Sequence, residues 1–397
     1  MKILVVNAGS SSIKYQVIDM TDESVLAVGL VDRVGIPGST LKHEPAGKES
    51  VVLKQDLPDH TAGMGLVLET IVNPEYGVVK SMDEIGAVGH RVVHGGEEFS
   101  ESVVIDEHVI EVIKDCIDIA PLHNPPNLMG IKACKKLMPN VKHVAAFDTA
   151  FHQTMAPAHY LYALPYEVYD EYRIRRYGFH GTSHNYVSHR AAEMMGKKFE
   201  DCKIITLHLG NGASMAAIKD GKVLDTSMGF TPLEGLVMGT RSGDIDPAII
   251  LFLMEKIGMN IDETNTCLNK KSGLLGISGV SNDMRDIEDA AKSGNTRAQI
   301  ALEIYYSHVK GYIGNYFAKL NGCDCLVFTA GVGENGIDVR REICADLDAL
   351  GIKMDVEKNK VRGKEVDVAT DDSKVRIFII PTNEELVIAR DTYRLAK

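Results

Sequence analysis

The sequence lacks the features that mark several large classes of protein. Its longest clean apolar run beside a helix pattern, AIILFLM at 248–254, falls far short of the ~20 residues that span a bilayer. The opening run ILVV is likewise shorter than the roughly 7–15 apolar residues of a signal peptide. Acidic residues outnumber basic ones, 55 to 43, giving a formal net charge of −12. We therefore expect a cytoplasmic protein that binds neither nucleic acid nor membranes.

Paired cysteines and two common motifs are also missing. The 7 cysteines include no C-x-x-C pair, which is typical of reduced and packed thiols. No Gly-Lys pair is followed by Ser or Thr, so the chain has no Walker phosphate loop. The segment HGTSH, 180–184, has Gly where a zinc peptidase has Glu, and a zinc site is not favoured there.

What the chain does contain is the same order of short elements twice. The first residues predict three strands, ILVVN, IKYQVID and SVLAVGLV, with the small polar turn AGSSS between the first two. From Ile204 the same order occurs again: the strand IITLHL is followed by the turn GNGAS and then by MAAIKDGKVLDTS. The Asp-Gly turn inside this last segment divides it into two predicted strands. A shift of 203 residues (210 − 7) superposes Asn7, Gly9 and Ser11 on Gly210, Gly212 and Ser214. The repeated order predicts two related halves.

Strands alternate with helices in both halves, which indicates α/β layers. The first half predicts a strand at 84–94, a strand within HVAAFDTAF (143–151) that ends on Asp148, and helices at 106–120 and 127–138. The second predicts helices at 298–320 and 337–351 and strands at 325–330 and 375–381. The length favours about two domains, and we expect the last helix, from about Asn383, to pack on the first half. The expected domains are 1–150 with 383–397, and 151–382.

Three glycine-rich turns follow predicted strands: NAGSSS, LGNGAS and AGVGENG. Such turns can direct successive N–H groups at phosphate oxygens, and two of them in matching places suggest a cleft that holds one polyphosphate from both sides. GVGENG also fits the dinucleotide pattern G-x-G-x-x-G, with Asp355 near the acidic position. Only about 60 residues follow it, too few for the rest of a doubly wound sheet. A nucleotide other than a dinucleotide is the better interpretation.

Several charged residues stand where they could bind an anion or a metal. Arg91, Arg176 and Arg241 lie in glycine-bearing loops of an acidic protein, which favours bidentate anion binding. Lys14 follows the first turn and is either a phosphate ligand or an exposed strand lysine. Glu384 begins the last helix, where it is either a metal ligand or one of the acids that suit a helix start.

The start of the last helix, where Glu384 lies, and Asp148 also have simpler structural interpretations. Thr382 with Glu385 fits a capping box for the last helix. Asp148 at the end of a buried strand could be a capping aspartate.

The sequence resembles the acetokinase family, which phosphorylates acetate, essentially from end to end. Nine segments carry the resemblance: NAGSSSIKY, GHRVVHGG, APLHNPPN, FDTAFH, RRYGFHGTSH, HLGNGAS, TSMGFTPLEGLVMGTRSGDIDP, FTAGVGENG and PTNEE. The family belongs with sugar kinases, heat-shock chaperones and actin. The resemblance implies an α/β fold of two duplicated ribonuclease-H-like, actin-like ATPase domains. Each would be a mixed five-stranded sheet flanked by helices, with a nucleotide cleft between the domains.

The resemblance also implies roles for individual residues. The catalytic residues would be Arg91, His123, Asp148, His180 and Arg241. Arg91 would also bind the substrate carboxylate, with a wall around its methyl group formed by Val93, Leu122, Phe179 and Pro232. The metal, Mg²⁺ with Mn²⁺ as a substitute, would be bound by Asn7 and Glu384. ATP would be bound by Ser12, Lys14, His208, Leu209, Gly210, Asn211, Gly212, Asp283, Met284, Arg285, Gly331, Val332, Gly333, Glu334 and Asn335. Met284 stands where some relatives carry an aromatic residue.

The chemistry can also be argued without the resemblance. A carboxylic acid that titrates near ~4 is ionised at neutral pH and needs no general base. Catalysis then consists of positioning and of cations around a loose, in-line transition state, so Asp148 suits an orienting role better than that of a base. We predict reversible, direct transfer from ATP to acetate, giving acetyl phosphate and ADP. The resemblance, not this chemical argument, implies a homodimer.

Two alternatives remain open from the sequence. A propionate or other short-chain acyl kinase would differ mainly in pocket volume, worth only ~1–3 kcal/mol per methylene. An actin- or chaperone-like ATP switch would share the cleft but would not need the Arg91 and Arg241 pair.

Overall fold

The chain folds into two compact units, and the computed structural model describes residues 1–397. Unit 1 comprises Met1–Gln153 and Asn383–Lys397, and unit 2 comprises Thr154–Thr382. Each unit is built on one β-sheet with helices packed against it. No helix combines the length and the apolar character that crossing a membrane requires.

The strands divide between the two sheets in chain order. Unit 1 contains β1 (Lys2–Ala8), β2 (Ser12–Asp19), β3 (Ser24–Asp32), β4 (Thr40–Pro45), β5 (Val51–Lys54), β6 (Ile85–Val92), β7 (Val103–Val104) and β8 (Lys142–Phe147). Unit 2 contains β9 (Lys203–Leu209), β10 (Ala213–Lys219), β11 (Lys222–Thr226), β12 (Cys325–Thr329), β13 (Val366–Asp367) and β14 (Arg376–Ile379).

The helices are more numerous in unit 2. Unit 1 begins with α1 (His60–Ile71), α2 (Glu107–Asp115) and α3 (Asn124–Leu137). Unit 2 contains α4 (Pro157–Tyr160), α5 (Tyr166–Tyr172), α6 (Gly181–Met194), α7 (Ala248–Glu255), α8 (Ile261–Lys270), α9 (Gly273–Ser278), α10 (Met284–Lys292), α11 (Thr296–Leu320), α12 (Ala330–Asn335) and α13 (Ile337–Cys344). The last helix, α14 (Glu384–Ala396), belongs to unit 1.

The two sheets share one five-strand pattern. Their strand orders are β5-β4-β3-β2-β1-β6-β8-β7 and β11-β10-β9-β12-β14-β13. In each, three antiparallel strands of a meander are followed by two strands parallel to the first of them. The duplicated α/β fold predicted from the sequence is confirmed. The sheets are larger than the five strands expected, because β4, β5 and β7 extend the first sheet and β13 extends the second.

Both faces of β1 are buried, which makes it the centre of unit 1. One face, with Leu4 and Val6, packs against the layer of α1 and α3. The other face, with Ile3 and Val5, packs against Ile388 of α14. The last helix therefore lies on the sheet of unit 1, and its first residue stands beside the ends of the central strands.

Several element boundaries differ from the predictions. Residues 331–335 of GVGENG belong to the short helix α12 rather than to a turn. The chain enters this helix directly from β12, and Ala330 at its start adopts φ +62°. Since the sheet beside it is mixed, this segment is not a parallel dinucleotide unit. Helix α2 ends at Asp115 and α13 at Cys344, both short of the predicted ends.

The start of α14 also differs from the prediction. The side chain of Asn383, not Thr382, caps the helix, accepting a hydrogen bond from Leu386 N at 3.1 Å. Thr382 instead donates its N–H to Glu334 at 3.0 Å.

Candidate functional site

The charged groups of unit 1 meet at the carboxyl ends of two parallel strands. Arg91 lies near the end of β6, and Asp148 directly follows β8. The guanidinium donates to the carboxylate twice, from Nε to Oδ1 at 3.0 Å and from Nη2 to Oδ2 at 2.6 Å. The charge of Asp148 raises the pKa of Arg91, which remains a cation. This fork fixes the plane of the guanidinium and leaves Nη1 for another anion.

Glu384 brings a second carboxylate to the same arginine. Its Oε2 lies 4.0 Å from Arg91 Nε. Burial raises the pKa of Glu384 to about 7; the charge of Arg91 opposes this shift, and that of Asp148 adds to it. A buried carboxylate with so little compensation favours an incoming cation.

Asn7 and Lys14 flank the first hairpin turn as direct partners on β1 and β2. Together with Arg91 and Glu384 they line a cavity of about 260 Å³. The Asn7 amide and the Glu384 carboxylate offer oxygen ligands, which hard divalent cations prefer. No group of three His, Cys, Asp or Glu is placed to hold a metal. A cation here would take its remaining ligands from water or substrate, as Mg²⁺ commonly does.

The other predicted site residues of unit 1 lie at the first hairpin turn, directly after β6 and at the start of α3. Ser12 closes the first turn, its carbonyl accepting from Gly9 N at 2.8 Å. Val93 follows β6 and is buried, whereas Leu122 is 64% exposed. His123 is the N-cap residue of α3. Leu122 thus offers exposed apolar surface beside the helix that His123 begins, whereas Val93 is enclosed just after the strand that carries Arg91.

The phosphate-binding candidate of unit 2 is the turn Gly210–Gly212 between β9 and β10. Gly210 N donates to Gly212 O at 3.1 Å, which closes the turn. A Cβ atom on Gly212 would lie 3.6 Å from both Arg241 Nη1 and His180 Nε2. The guanidinium of Arg241 and the imidazole of His180 therefore both lie within van der Waals distance of this turn.

Hydroxyl groups fix the imidazole rings near this turn. His180 stacks on His208 with ring centroids 4.1 Å apart. His180 Nδ1 lies 2.8 Å from Ser214 Oγ, and His184 Nε2 lies at the same distance from that oxygen. His208 Nδ1 lies 2.8 Å from Ser183 Oγ. The contact with Ser214 occupies Nδ1 of His180, so Nε2 of this ring faces the glycine turn.

Arg241 lies in the loop between β11 and α7. Its Nη1 donates to Pro232 O at 3.0 Å and lies 3.7 Å from Met238 Sδ, and no carboxylate forms an ion pair with it. Burial lowers the pKa of Arg241, but a guanidinium remains charged at neutral pH. A half-buried cation without a counter-ion favours an incoming anion. Pro232 is half-buried, and Phe179, the other predicted wall residue of unit 2, is buried.

A larger cavity of about 850 Å³ continues from the glycine turn. Its lining includes eight of the predicted ATP-binding residues: Gly210, Asn211, Asp283, Met284, Arg285, Gly331, Val332 and Asn335. Met284 is buried in its wall, so a methionine supplies apolar surface where some relatives have an aromatic residue. Asp283 caps α10 and forms two hydrogen bonds with the Arg285 guanidinium, at 3.0 and 2.6 Å.

Other predicted ATP-binding residues of unit 2 support this cavity and do not line it. Leu209 and Gly333 are buried. Glu334 is half-buried, and its Oε1 accepts from Thr382 N. Their contacts hold the strand end and the short helix that form the cavity wall.

Arg176, predicted as an anion ligand, is instead bound within the protein. Its Nη2 donates to Glu234 Oε1 at 2.5 Å, and Nη1 donates to three carbonyl oxygens, those of Thr226, Ser227 and Met228, at 2.8–3.2 Å. Partners this distant along the chain cannot be identified from the local pattern.

Arg340, which the sequence analysis missed, supports the wall of the larger cavity. It is fully buried and donates to Gly333 O at 2.8 Å and to Asn359 Oδ1 at 2.7 Å. A signal was present, because Arg340 stands three residues before Ile343 on the buried face of α13.

Comparisons of the sequence and of the fold with known proteins all point to one family. The model of the acetokinase family matches residues 2–390. An acetate kinase of Syntrophomonas wolfei is 79% identical over 397 residues, covering all of both chains. The crystal structure of Porphyromonas gingivalis acetate kinase is 51% identical with a TM-score of 0.96, again over all of both chains. A propionate kinase structure from Francisella tularensis is 41% identical, with a TM-score of 0.93 over 99% of each chain.

Proposed function

This chain belongs to the acetokinase family, and we propose how its residues carry out the phosphoryl transfer between ATP and acetate that this membership establishes. One oxygen of acetate attacks the γ-phosphorus in line. The bond from that phosphorus to the bridging oxygen of ADP breaks, so acetyl phosphate and ADP form in one step. The same groups serve the reverse reaction, because both phosphorylated species are reactive anhydrides.

The observation that carries this proposal is Arg241, a half-buried cation without a carboxylate partner at the glycine turn. Charge on the transferring phosphoryl group is spread over its equatorial oxygens, and positioned cations stabilise it there. Arg241 and His180 supply a guanidinium and an imidazole nitrogen at this turn. Their role is electrostatic, since no proton has to leave the acetate nucleophile.

Arg91 is the proposed ligand of the acetate carboxylate. Asp148 holds two of its three nitrogens and so sets the direction of the third. This arrangement makes Asp148 an orienting residue rather than a base. Val93, Leu122, Phe179 and Pro232 are the proposed apolar contacts of the methyl group, and His123 is a further proposed active-site residue.

Mg²⁺ is the proposed metal, with Mn²⁺ as a substitute. Asn7 and Glu384 fit it because both offer oxygen atoms to one cavity and Glu384 is a poorly compensated carboxylate. When bound, the ion neutralises phosphate charge. Lys14 and Ser12 of the first hairpin are proposed phosphate contacts, as is the turn Gly210–Gly212.

The larger cavity of unit 2 is the proposed nucleotide site. Its 850 Å³ matches the size of ordinary small-molecule pockets. Polar groups at Asn211, Asp283, Arg285 and Asn335 suit a ribose, and Met284 with Val332 suits a base.

We further propose a homodimer located in the cytoplasm. Helix α7 has no buried residue, yet it carries Ile249, Leu251 and Phe252, which are 44–60% exposed. Exposed apolar surface of this kind marks protein contacts, and a second copy is the proposed occupant. All seven cysteines are free, which suits a reducing compartment.

Replacing Arg241 by Ala tests the transition-state role. We expect kcat for acetyl phosphate formation to collapse while the dissociation constant for ATP changes little, because the lost contact is strongest in the transition state. Steady-state rates and calorimetric ATP titration measure the two quantities. Equal losses in both would overturn the role.

A further inference from the structure

The loop that carries Pro232 and Arg241 has almost no regular structure. No helix or strand occurs between the end of β11 at Thr226 and the start of α7 at Ala248. Even so, parts of the loop are as buried as the sheet, with Leu236 fully enclosed. Within the loop, Met238 N donates to Arg241 O at 3.2 Å and Asp244 N donates to Gly235 O at 2.9 Å. Side-chain contacts must help to fix the rest of its path, because buried backbone groups need partners.

One side of this loop is held by a cluster of three polar side chains, Arg176, Glu234 and Tyr162. Arg176 binds one oxygen of Glu234 at 2.5 Å, and the Tyr162 hydroxyl donates to the other. Tyr162 Oη also accepts from Phe230 N at 2.9 Å. Burial and the charge of Glu234 raise the pKa of Tyr162, which keeps its proton for this bond.

The cluster also reaches the backbone of the loop directly. The three carbonyl groups that accept from Arg176 belong to consecutive residues, 226–228. A Cβ atom on Gly229 would lie 1.7 Å from Glu234 Oε2 and 2.2 Å from Tyr162 Oη, so only glycine fits between them. Because Gly229, Tyr162 and Arg176 pack so closely around it, the Glu234 carboxylate is held in one position.

From Glu234 the path to Arg241 is short. Pro232 lies two residues before Glu234, and its carbonyl accepts from Arg241 Nη1 at 3.0 Å. This is the only oxygen of the protein that holds the Arg241 guanidinium. The orientation of Arg241 thus depends on where Pro232 lies, and the place of Pro232 depends on the cluster.

We infer that Arg176, Glu234 and Tyr162 are positioning residues that set the direction of Arg241 through the Pro232 carbonyl. None of the three contacts the reacting groups in this account. The inference rests on the proposed function, because it assigns Arg241 to the transferring phosphoryl group. It predicts that weakening the cluster acts on the chemical step and not on ATP binding.

The test is a double-mutant cycle between Glu234→Gln and Arg241→Ala. We expect Glu234→Gln alone to lower kcat by about tenfold to a hundredfold, since small misplacements of a positioned group have effects of that size. In the Arg241→Ala background the same change should lower kcat by less than about twofold, because residues that act as a unit are not additive. Glu365→Gln is the matched control, since it removes one charge of the exposed, two-point Arg190–Glu365 pair.

A crystal structure of Glu234→Gln provides a readout that is independent of activity. We expect Arg241 Nη1 to have left Pro232 O. Multiplicative losses in the cycle, or an unchanged Arg241–Pro232 contact, would overturn the inference even when the wild-type enzyme forms acetyl phosphate. A wild-type enzyme that forms no acetyl phosphate would instead remove the proposed function, and the crystal structure would still decide the positioning role.

Discussion

At the scale of single residues, the two proposed anion ligands differ in their surroundings. Arg91 is held in a fixed plane by the Asp148 carboxylate, whereas Arg241 has only a carbonyl and a thioether beside it. The first arrangement suits recognition of a carboxylate that is present throughout the reaction. The second suits charge that develops only at the transition state, because no carboxylate competes with the phosphoryl oxygens for Arg241.

Replacing Arg91 by Lys should raise the KM for acetate by at least about tenfold and leave the KM for ATP nearly unchanged. Lysine keeps the charge but cannot bind Asp148 and acetate with separate nitrogens of one plane. Initial rates over a range of both substrates measure the two constants. Arg190→Lys, at another two-point pair with Glu365, is the control. An equal rise in the KM for ATP would contradict this role.

Sequence reasoning identified residue types better than it identified their partners. Arg91 lies on β6 close to a glycine pair, and Arg176 and Arg241 lie in glycine-bearing loops, so all three fit an anion ligand from their local pattern. Arg176 is different only because Glu234, 58 residues away, occupies it. Such long-range pairing depends on how the chain folds, which periodicity and spacing do not encode.

At the scale of elements, short strands and glycine turns were the most predictable features. The strands of both meanders were visible because side chains alternate between faces with a period of two. The outer strands β4 and β5 were missed, since they are short and carry mixed polar and apolar residues. Helix α12 was missed because its glycines favour a turn when only the sequence is considered.

The fit of α14 on β6 can be tested at Gly89. A Cβ atom there would lie 2.4 Å from Thr392 Oγ1 and 2.7 Å from Ile388 Cγ2. Gly89→Ala should therefore lower the free energy of unfolding by about 1–3 kcal/mol, as overpacking does. Gly65→Ala, where no atom lies within 4 Å, should instead raise it by about 0.5–1 kcal/mol in the middle of α1. Urea unfolding measures both, and equal effects would contradict the tight contact.

The pairing of β6 with β8 predicts a pH effect on stability. His90 Nε2 lies 3.1 Å from His143 Nδ1 inside unit 1. Burial lowers the pKa of both, and for His90 the nearby His143 adds to this. Below about 6.5 the unfolded chain then binds protons that the folded chain does not, so stability is lost as the pH falls.

We expect His90→Leu to reduce this slope between pH 6.5 and 5 by about 1 kcal/mol per pH unit, since one titrating group is removed. Urea unfolding at a series of pH values measures the slope. His189→Leu, which removes an exposed imidazole on α6, is the control. A wild-type slope that persists in His90→Leu would argue against the buried pair as its source.

At the scale of the whole molecule, the fold could be predicted from the sequence because its two halves repeat the same order of elements. Each half repeats a meander followed by two parallel strands, and each places a turn at the end of its first strand. The letter-level similarity is weak, but the order of elements is retained. The exposed apolar side chains of α7 are a separate property of the molecule, and exposed apolar surface of this kind is typical of protein contacts.

Replacing Leu251 and Phe252 together by Glu should convert the proposed homodimer into a monomer. These side chains are 60% and 58% exposed, and two charges on each copy would be desolvated in an apolar interface. Size-exclusion chromatography with light scattering measures the mass. Ile300→Glu on α11, 43% exposed, is the control. A wild-type protein that is monomeric at micromolar concentration would contradict the proposal.

The most direct measurement of the central claim is trapping of the acyl phosphate with hydroxylamine. Purified wild-type protein is incubated with Mg-ATP and acetate, propionate or butyrate, and hydroxamate and ADP are counted in the same sample. The account predicts one acetyl hydroxamate for each ADP, with the highest kcat/KM for acetate. ADP released without hydroxamate, or a higher kcat/KM for propionate or butyrate, would contradict it.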